Sequence, residues 1–354
     1  MIKACQRLLP GILCFAALLS QPVHAATKPA FKIAWSIYAG WMPWDYAQKS
    51  GILKKWADKY GITIDLVQVN DYIESVNQYT SGGFDGCTMT NMDALTIPAT
   101  GGVDSTALIV GDYSNGNDGI LLKGGDDIKA LKGQSVNLVQ LSVSEYLLAR
   151  ALEKSGMTEK DIHLVNTDDA DLVSAFSTPA VKSIVTWNPL LAQAKQQPGS
   201  KEIFSSAQIP GEILDLMVVN SSTLKAHPEL GKALTGAWYE TLKSMQGNSA
   251  EAIKARTYMA QESGTDLKSF DQQLAATYLF STPAQTLSFV DGPQIKTTMK
   301  SVAEFSFAHG LLGPGAPDAT AVGITTPAGN WGNPGNLKLH FTDEFVKLAA
   351  ANKL

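Results

Sequence analysis

The sequence predicts an α/β protein built from two doubly wound units, with one crossing of the chain into the second unit and one return. The first observation is that short apolar or alternating runs, typical of strands, alternate with helical patterns over residues 30–102 and again over residues 134–195. The second is that an apolar run between them ends in the polar, glycine-containing link 112–119. Strand–helix alternation of this kind indicates parallel sheets with helices on both faces.

The first unit opens with residues 35–51, WSIYAGWMPWDYAQKSG. They predict a short strand, a turn that carries Tyr38, Trp41 and Trp44, and a helix that starts at Pro43. Proline suits the first helical turn because its missing N–H group would have no partner there. Loops that follow the strands of an open α/β sheet face a crevice at its carboxyl edge. The three rings therefore either line a pocket or cap the sheet as core residues.

The rest of the first unit repeats this order. Residues 62–69 alternate branched apolar and polar side chains, as a half-covered strand does, and Asp71 caps the helix that follows. A short strand over residues 84–90 leads to a further helix over residues 91–102. The first unit is thus expected to contain three strands, each followed by a helix.

The second unit is expected to begin with a strand near residue 120 and to continue with the strands and helices of residues 134–195. An apolar run at residues 215–220 is interpreted as the return crossing. The residues after it show mainly helical patterns, which would pack on the first sheet. Residues 310–335 are rich in glycine and proline and predict an ordered surface loop or an extension.

Residues 1–25 have the pattern of a secretory signal peptide. Lys3 and Arg7 precede an apolar run, and the small residues that follow it fit cleavage after Ala25. The run is too short for a comfortable membrane span, and Cys14 follows leucine rather than the small residue of a lipoprotein signal. We expect an exported, non-lipidated protein that is periplasmic in a cell with two membranes.

Composition and charge exclude several classes of protein. The 45% hydrophobic and 17% charged residues are typical of a globular chain. The formal charge of −5 becomes −7 when Lys3 and Arg7 leave with the signal peptide, which argues against nucleic acid or an anionic membrane surface as partner. Cys87 is the single cysteine after residue 25, so an intramolecular disulfide is excluded. We expect a monomer that binds no nucleic acid.

Common catalytic motifs are absent from the sequence. It contains no G-x-S-x-G, H-E-x-x-H or P-loop, and no G-x-G-x-x-G after a strand. Cys87 lies in an expected strand, where a small buried thiol is favoured over a nucleophile. We expect neither a cofactor nor a metal site, because the histidines after residue 25 lack ligand spacing. These histidines are His163, His227, His309 and His340.

Polar and aromatic residues remain at strand ends that would face one crevice. The expected ligand-binding residues are Tyr38, Trp41, Trp44, Thr90, Asn91, Asp112, Tyr113, Ser142, Ser144, Glu145, Trp187, Asn188 and Asp215. Structural alternatives exist for several of them. Asn91 and the two serines can cap helices, and Glu145 can balance a helix dipole. Asp112 and Asp215 can form hinge salt bridges. Together they describe a small, partly aromatic pocket that contains acids.

Several strings resemble a known family. The order of signal peptide, strand, aromatic loop, a helix with Pro43, Ala47 and Gly51, and a later TWNP at residues 186–189 resembles the nitrate/sulfonate/taurine class of substrate-binding proteins of ABC transporters. Within that class, WSIYAGWMPW, DYIESVNQYT, FDGCTMTNMDALTIPA and GDYSNGNDGI are similar to proteins, named for urea binding, that are encoded beside urea carboxylase or guanidine carboxylase systems. The resemblance covers residues 32–309.

This resemblance implies a type II periplasmic binding protein fold, whose two lobes close on one small solute and dock on an ABC permease in the inner membrane. Lobe 1 is expected to comprise residues 26–113 and 219–354, and lobe 2 residues 114–218. The implied solute is guanidine or urea, which are small, planar and rich in nitrogen.

Tryptophan and tyrosine faces suit either solute by stacking, and a cation more strongly. Guanidinium also requires a carboxylate that accepts a forked pair of hydrogen bonds. Asp112, Glu145 and Asp215 are the candidates for this role. Sulfonate or nitrate would need arginine or lysine at these loop ends, where the sequence has none.

Two other functions stay open at this point. One is an enzyme related to the thiamine-pyrimidine synthases, which share this fold and need clustered histidine and cysteine. The other is a periplasmic sensor subunit, which would use the same two-lobed closure.

Overall fold

The structure is a computed structural model that describes Met1 and residues 28–354, so the expected signal peptide lies outside the described residues. Two β-sheets define two lobes. Lobe 1 is built on an eight-stranded sheet and lobe 2 on a five-stranded sheet. The second sheet takes its strands from residues 118–205, and the first takes them from the chain before and after this segment. The predicted α/β class with two sheets and two crossings is confirmed.

The first part of lobe 1 alternates strands and helices as expected. Its elements are β1 (Ala30–Trp35), α1 (Met42–Lys49), α2 (Ile52–Lys59), β2 (Thr63–Gln68), α3 (Tyr72–Thr80), β3 (Gly86–Thr90), α4 (Asn91–Ala94) and β4 (Ser105–Ser114). Pro43 lies in the first turn of α1, and the carboxylate of Asp71 caps α3 by accepting the Glu74 N–H. The helix expected over residues 91–102 changes after α4 into a π-helical turn that contains Pro98, which has no N–H to donate.

Lobe 2 contains β5 (Asp118–Lys123), β6 (Ser135–Leu138), α5 (Val143–Lys154), β7 (His163–Asn166), α6 (Asp169–Ser177), β8 (Ser183–Trp187), α7 (Leu190–Ala194) and β9 (Ser200–Ser205). The sequence did not predict β9. It is an edge strand whose first residues are exposed and polar, so it lacks the apolar alternation that identifies a strand.

The chain then returns to lobe 1. The elements are β10 (Leu214–Asn220), α8 (Ser221–Ala226), α9 (Pro228–Met245), α10 (Ala250–Glu262), α11 (Leu267–Ala275), β11 (Thr277–Leu279), α12 (Pro283–Val290), α13 (Pro293–Ala308), β12 (Gly323–Thr325), β13 (Leu337–Phe341) and α14 (Glu344–Ala350). Helix α9 packs against α1 and α2, as expected for helices that cover the first sheet. Strands β11 to β13 also join this sheet. The first two have three residues each and are too short to show a period, whereas β13 alternates apolar and polar residues that the sequence analysis did not assign to a strand.

The strand order in lobe 1 is β12-β13-β4-β10-β3-β1-β2, and β11 pairs with β4. Strand β10 runs antiparallel to both β3 and β4. Because β10 lies in this sheet over its whole length, the chain is back in lobe 1 by Leu214, earlier than the expected residue 219. The order in lobe 2 is β7-β6-β8-β5-β9. The ends of β4, β5 and β10 therefore meet where the lobes join.

Each lobe has its own buried core. Met42, Met89 and Trp238 are fully buried in lobe 1, as are Leu147 and Phe176 in lobe 2. Among residues 28–354, no helix combines the length and the apolar character that crossing a bilayer would require.

Candidate functional site

A small cavity lies between the lobes, beside the ends of β1, β3 and β8 and the start of β5. Its volume, counted as the space open to the centre of a water molecule, is about 20 Å³. A space of this size holds one or two water molecules or a solute of a few non-hydrogen atoms. Its lining residues are Ser36, Ile37, Tyr38, Trp41, Tyr72, Thr90, Asp118, Val143, Trp187, Ile213 and Asp215.

Four aromatic rings form one wall of the cavity. Tyr38 and Trp41 come from the turn after β1, and their ring centres lie 5.2 Å apart in an edge-to-face arrangement. The Trp41 ring lies 5.6 Å from that of Tyr72 at the start of α3. Tyr72 in turn meets Trp187 of lobe 2 edge to face at 6.1 Å. The wall therefore continues from one lobe to the other.

Three carboxyl groups lie in the cavity lining or directly behind it. Asp112 of β4 and Asp215 of β10 are direct partners across the antiparallel pair, and Asp118 begins β5 in lobe 2. All three are at most 4% exposed. The Tyr38 hydroxyl donates to Asp112 Oδ1 at 3.2 Å, and the Ser114 hydroxyl donates to Asp118. The other Asp112 oxygen is buried without a hydrogen-bond partner.

Burial of these acids shifts their ionisation strongly. Burial, with a contribution from the charge of Asp118, raises the pKa of Asp112 to about 7. Burial also raises the pKa of Asp118 to about 6. The pKa of Asp215 is raised well above its usual range by burial and by the neighbouring Asp112 charge. The lining contains no lysine, arginine or histidine among the described residues, so a cation has no competitor here.

A second layer of side chains holds the lining residues in place. The Tyr72 hydroxyl and the Thr90 hydroxyl both donate to Asp93 Oδ2, at 2.5 and 2.7 Å. In lobe 2, the Asn188 amide donates to Asn117 Oδ1 at 2.7 Å, and the Asn117 amide reaches the Tyr38 hydroxyl at 3.4 Å. These bonds fix the rings before any solute arrives.

Gly40 allows the aromatic turn to approach the acids. An ideal Cβ atom at Gly40 would lie 2.5 Å from Asp112 Oδ2 and 2.6 Å from the Tyr38 ring. A side chain at this position would push the turn away from β4, so the hydrogen bond between Tyr38 and Asp112 depends on glycine here.

The structure brings together five of the residues that the sequence predicted, Tyr38, Trp41, Thr90, Trp187 and Asp215. Two more, Asp112 and Asn188, lie directly behind the lining and bond to it or to its neighbours.

Three predicted residues lie elsewhere in lobe 1. Trp44 is 1% exposed and stacks on Trp238 of α9, with ring centres 4.9 Å apart. Tyr113 stacks on Tyr278 of β11 at 4.6 Å. Asn91 accepts the Leu214 N–H at 3.1 Å and thereby joins the start of α4 to the return crossing. Their contacts are those of the protein core and its connections.

The three predicted residues at the start of α5 also lie outside the cavity lining. The Ser142 hydroxyl caps the helix by accepting the Ser144 N–H at 3.1 Å. The Glu145 carboxylate accepts the Leu141 N–H at 2.6 Å. Val143, between the two serines, is the residue of this turn that lines the cavity.

Tyr72 and Asp118 are the chemically important lining residues that sequence reasoning did not select. Tyr72 follows the helix cap Asp71 and is the first residue of α3. Asp118 lies in the polar link between the lobes, where a loop carboxylate is common. The signal that could have identified Asp118 is its position at the first residue of the apolar strand β5, where the polar link ends.

Solved structures share this two-lobed arrangement. The alkanesulfonate-binding protein SsuA from Xanthomonas axonopodis pv. citri, bound to MOPS, is 18% identical, with a TM-score of 0.65, over 82% of this chain and 96% of that one. The periplasmic nitrate-binding protein NrtA from Synechocystis PCC 6803 is 14% identical, with a TM-score of 0.63, over 92% of this chain and 89% of that one. These likenesses show that the fold is that of the two-lobed periplasmic binding proteins.

The chain belongs to the family described as NMT1/THI5 like, which matches residues 58–252, more than half of its length. A protein of Brucella abortus (strain 2308), named as a candidate binding protein, is 28% identical over 115 residues, or 32% of this chain. The match spans about a third of the length of such curated relatives, 35% in this case.

Proposed function

We propose that this protein is the periplasmic solute-binding component of an ABC importer and that it captures guanidinium between its lobes. The fold and the family support a solute-binding role. The proposal for the ligand rests on one observation. Asp118 and Asp215 line a small cavity, Asp112 lies directly behind its lining, and that lining has no basic side chain among the described residues.

The charge of the site favours a cation over neutral urea. Burying an unpaired carboxylate is costly, and a neighbouring carboxylate adds repulsion. A guanidinium ion replaces that repulsion with attraction, and its planar N–H groups can donate in pairs to carboxylate oxygens. Asp118 and Asp215 line the cavity from different lobes, so one cation between them would also hold the lobes closed.

The shape of the site favours a small, flat solute. The cavity has room for only a few non-hydrogen atoms, and Trp41, Tyr72 and Trp187 present ring faces or edges to it. A cation over an aromatic face gains about 0.5 to 2 kcal/mol. Larger guanidino compounds would have to displace these rings.

The anionic solutes named for the structural neighbours are disfavoured. A sulfonate or nitrate in this cavity would face Asp118 and Asp215 without a lysine or arginine among the lining residues. Bringing like charges together in a buried site raises the free energy of binding. We therefore expect this chain to share the fold of those proteins while binding the opposite charge.

An enzymatic role has little support in the site. Cys87 is fully buried in β3, and burial raises the pKa of its thiol to about 12, so the reactive thiolate is scarce at neutral pH. The described part of the chain places neither this cysteine nor a histidine in the cavity lining. A sensor subunit would use the same cleft, and reconstitution with a partner permease separates it from transport.

The test is calorimetric titration of the purified protein with guanidinium, methylguanidinium, urea, formamide, nitrate and taurine. We expect one guanidinium per chain, urea weaker by at least about a hundredfold, and no heat from nitrate or taurine. No product should form during prolonged incubation. Binding of nitrate or taurine, or equal affinity for urea and guanidinium, would overturn the assignment of the ligand.

A further inference from the structure

A second group of ionisable side chains bridges the lobes, away from the cavity lining. It consists of Glu145 at the start of α5, Glu159 in the turn before β7, and His309 immediately after α13. One ligand atom from each residue lies within 4.8 Å of those from the other two. We call these three residues the His309 cluster. Two of its members come from lobe 2 and one from lobe 1.

The two glutamates of the His309 cluster lack a basic counter-charge other than the histidine. Glu145 is 3% exposed, and the Glu159 side chain is 23% exposed. Among residues 28–354, neither is paired with a lysine or an arginine. One Glu159 oxygen is also buried without a hydrogen-bond partner. Two adjacent carboxylates therefore share a single imidazole.

The imidazole is oriented as a metal-binding histidine commonly is. His309 Nδ1 lies 2.9 Å from the Phe305 carbonyl oxygen, which only accepts hydrogen bonds, so Nδ1 carries a proton. The ring also stacks on the Phe305 side chain at 3.9 Å. Nε2 donates to Glu159 Oε2, 2.5 Å away, so a metal ion bound at Nε2 would displace this proton to the solvent. A backbone carbonyl that holds one ring nitrogen while the other faces anionic ligands is the usual outer arrangement of a zinc site.

We propose that Glu145, Glu159 and His309 bind a divalent transition metal ion such as Zn²⁺ and that this ion links the two lobes. Two carboxylates and a neutral imidazole balance the charge of the ion, and water completes four-coordination. Ligand atoms around tetrahedral zinc lie about 3.4 Å apart, so Nε2 and Oε2 need to separate by about 1 Å. None of the three ligands lines the cavity proposed for the solute, so metal-free protein can be tested for solute binding separately.

Two other histidines of the described chain, each paired with one carboxylate, provide internal controls. His340 lies 2.9 Å from Asp104, and His227 lies 2.8 Å from Glu229. Each of these pairs contains a single carboxylate within one lobe, which is too few ligands for a tight zinc site. The affinity of the His309 cluster for a metal ion should therefore stay the same when His340 is substituted.

The experiment is titration of the untagged, metal-free full chain with ZnCl₂ at pH 8 in a buffer that does not chelate. We expect one tight site per chain. His309→Gln and Glu145→Gln should each weaken Zn²⁺ binding by at least about tenfold, and His340→Gln should change it by less than about twofold. Glutamine at position 145 can still accept the Leu141 N–H, and melting curves without metal establish that each variant is folded.

X-ray absorption of the zinc-loaded wild-type chain tests the ligands without any substitution. We expect a first shell of nitrogen and oxygen atoms with one imidazole and no sulfur. Zn²⁺ should also raise the melting temperature of the wild type but not that of His309→Gln, because ligand binding stabilises only the form that binds. The proposal is overturned by absence of a stoichiometric site, by two or more imidazoles in the spectrum, or by equal loss in His340→Gln.

Discussion

Two groups of acidic side chains lie where the lobes meet, and they differ in what surrounds them. Asp118 and Asp215 line the cavity together with aromatic rings, and Asp112 lies directly behind them. In the His309 cluster, Glu145 and Glu159 face an imidazole nitrogen. Carboxylates beside ring faces favour an organic cation, whereas carboxylates beside an imidazole favour a metal ion. Buried acids at the lobe interface therefore favour a positively charged ligand. The side chains beside the acids indicate whether that ligand is an organic cation or a metal ion.

The largest effect is expected from Asp215→Asn. Removing one charge of a buried pair costs about 3 to 5 kcal/mol, so guanidinium affinity should fall by several hundredfold in calorimetry. Glu145→Gln, measured in metal-free buffer, is the matched control, because it removes a carboxylate of similar burial from the His309 cluster and should leave guanidinium binding unchanged. Equal losses of guanidinium affinity in both variants would contradict the proposal that the two acidic groups bind different ligands.

Trp44→Ala should affect stability rather than binding. Trp44 stacks on Trp238 in the core of lobe 1, and truncation of a buried tryptophan costs about 3 kcal/mol or more. We expect a lower melting temperature and nearly unchanged guanidinium affinity. Thermal unfolding is the appropriate measurement, since urea and guanidinium salts are candidate ligands. A large loss of affinity with normal stability would place this ring in the binding site.

Trp41→Ala removes the other tryptophan of the same turn, three residues before Trp44, and should affect binding rather than stability. Its ring lines the cavity, and removal of a stacking face should lower guanidinium affinity by about tenfold to thirtyfold. Calorimetry of the folded variant gives the measurement. If Zn²⁺ binding fell to the same extent, the change would have disturbed the arrangement of the lobes rather than the cavity alone.

The pH dependence should distinguish a cation from urea. The Asp118 carboxyl lines the cavity, and burial raises its pKa to about 6, so it is largely protonated at pH 5. Guanidinium keeps its charge over this range, and its binding requires this acid in the ionised form. Affinity should therefore rise by about tenfold from pH 5 to pH 7.5, with protons released on binding. A neutral ligand would show no such rise.

Much of the cavity follows from the order of strands along the chain. Tyr38, Thr90 and Trp187 each end or follow a strand, and the ends of parallel strands meet at the same edge of a sheet. For this reason the sequence predicted the two units and several cavity residues. Trp41 and Trp44 show the limit of that reasoning. Both belong to one turn, but α1 starts at Met42 and its rotation carries Trp44 towards α9.

Other parts of the site depend on how the lobes are placed. Tyr72 meets Trp187 only across the interface between the lobes. Asp118 comes close to Asp112 and Asp215 only when β5 lies beside the ends of β4 and β10. Neither contact produces a local pattern in the sequence, because both contacts form only when distant segments of the chain pack together.

The His309 cluster gives the clearest example of a site that depends on tertiary packing and that the sequence did not predict. Scattered histidines predicted no metal site, because spacing along the chain reports only ligands that one element holds together. His309 and Glu159 are 150 residues apart and meet through the packing of α5 and the turn before β7 against the end of α13. The apolar periodicity of strands and helices depends on residues that are close together in the chain. The sequence alone therefore specified most strands and helices and the order of the lobes. Contacts between lobes arise from the burial of whole surfaces, so tertiary structure alone decided which acids share a cation.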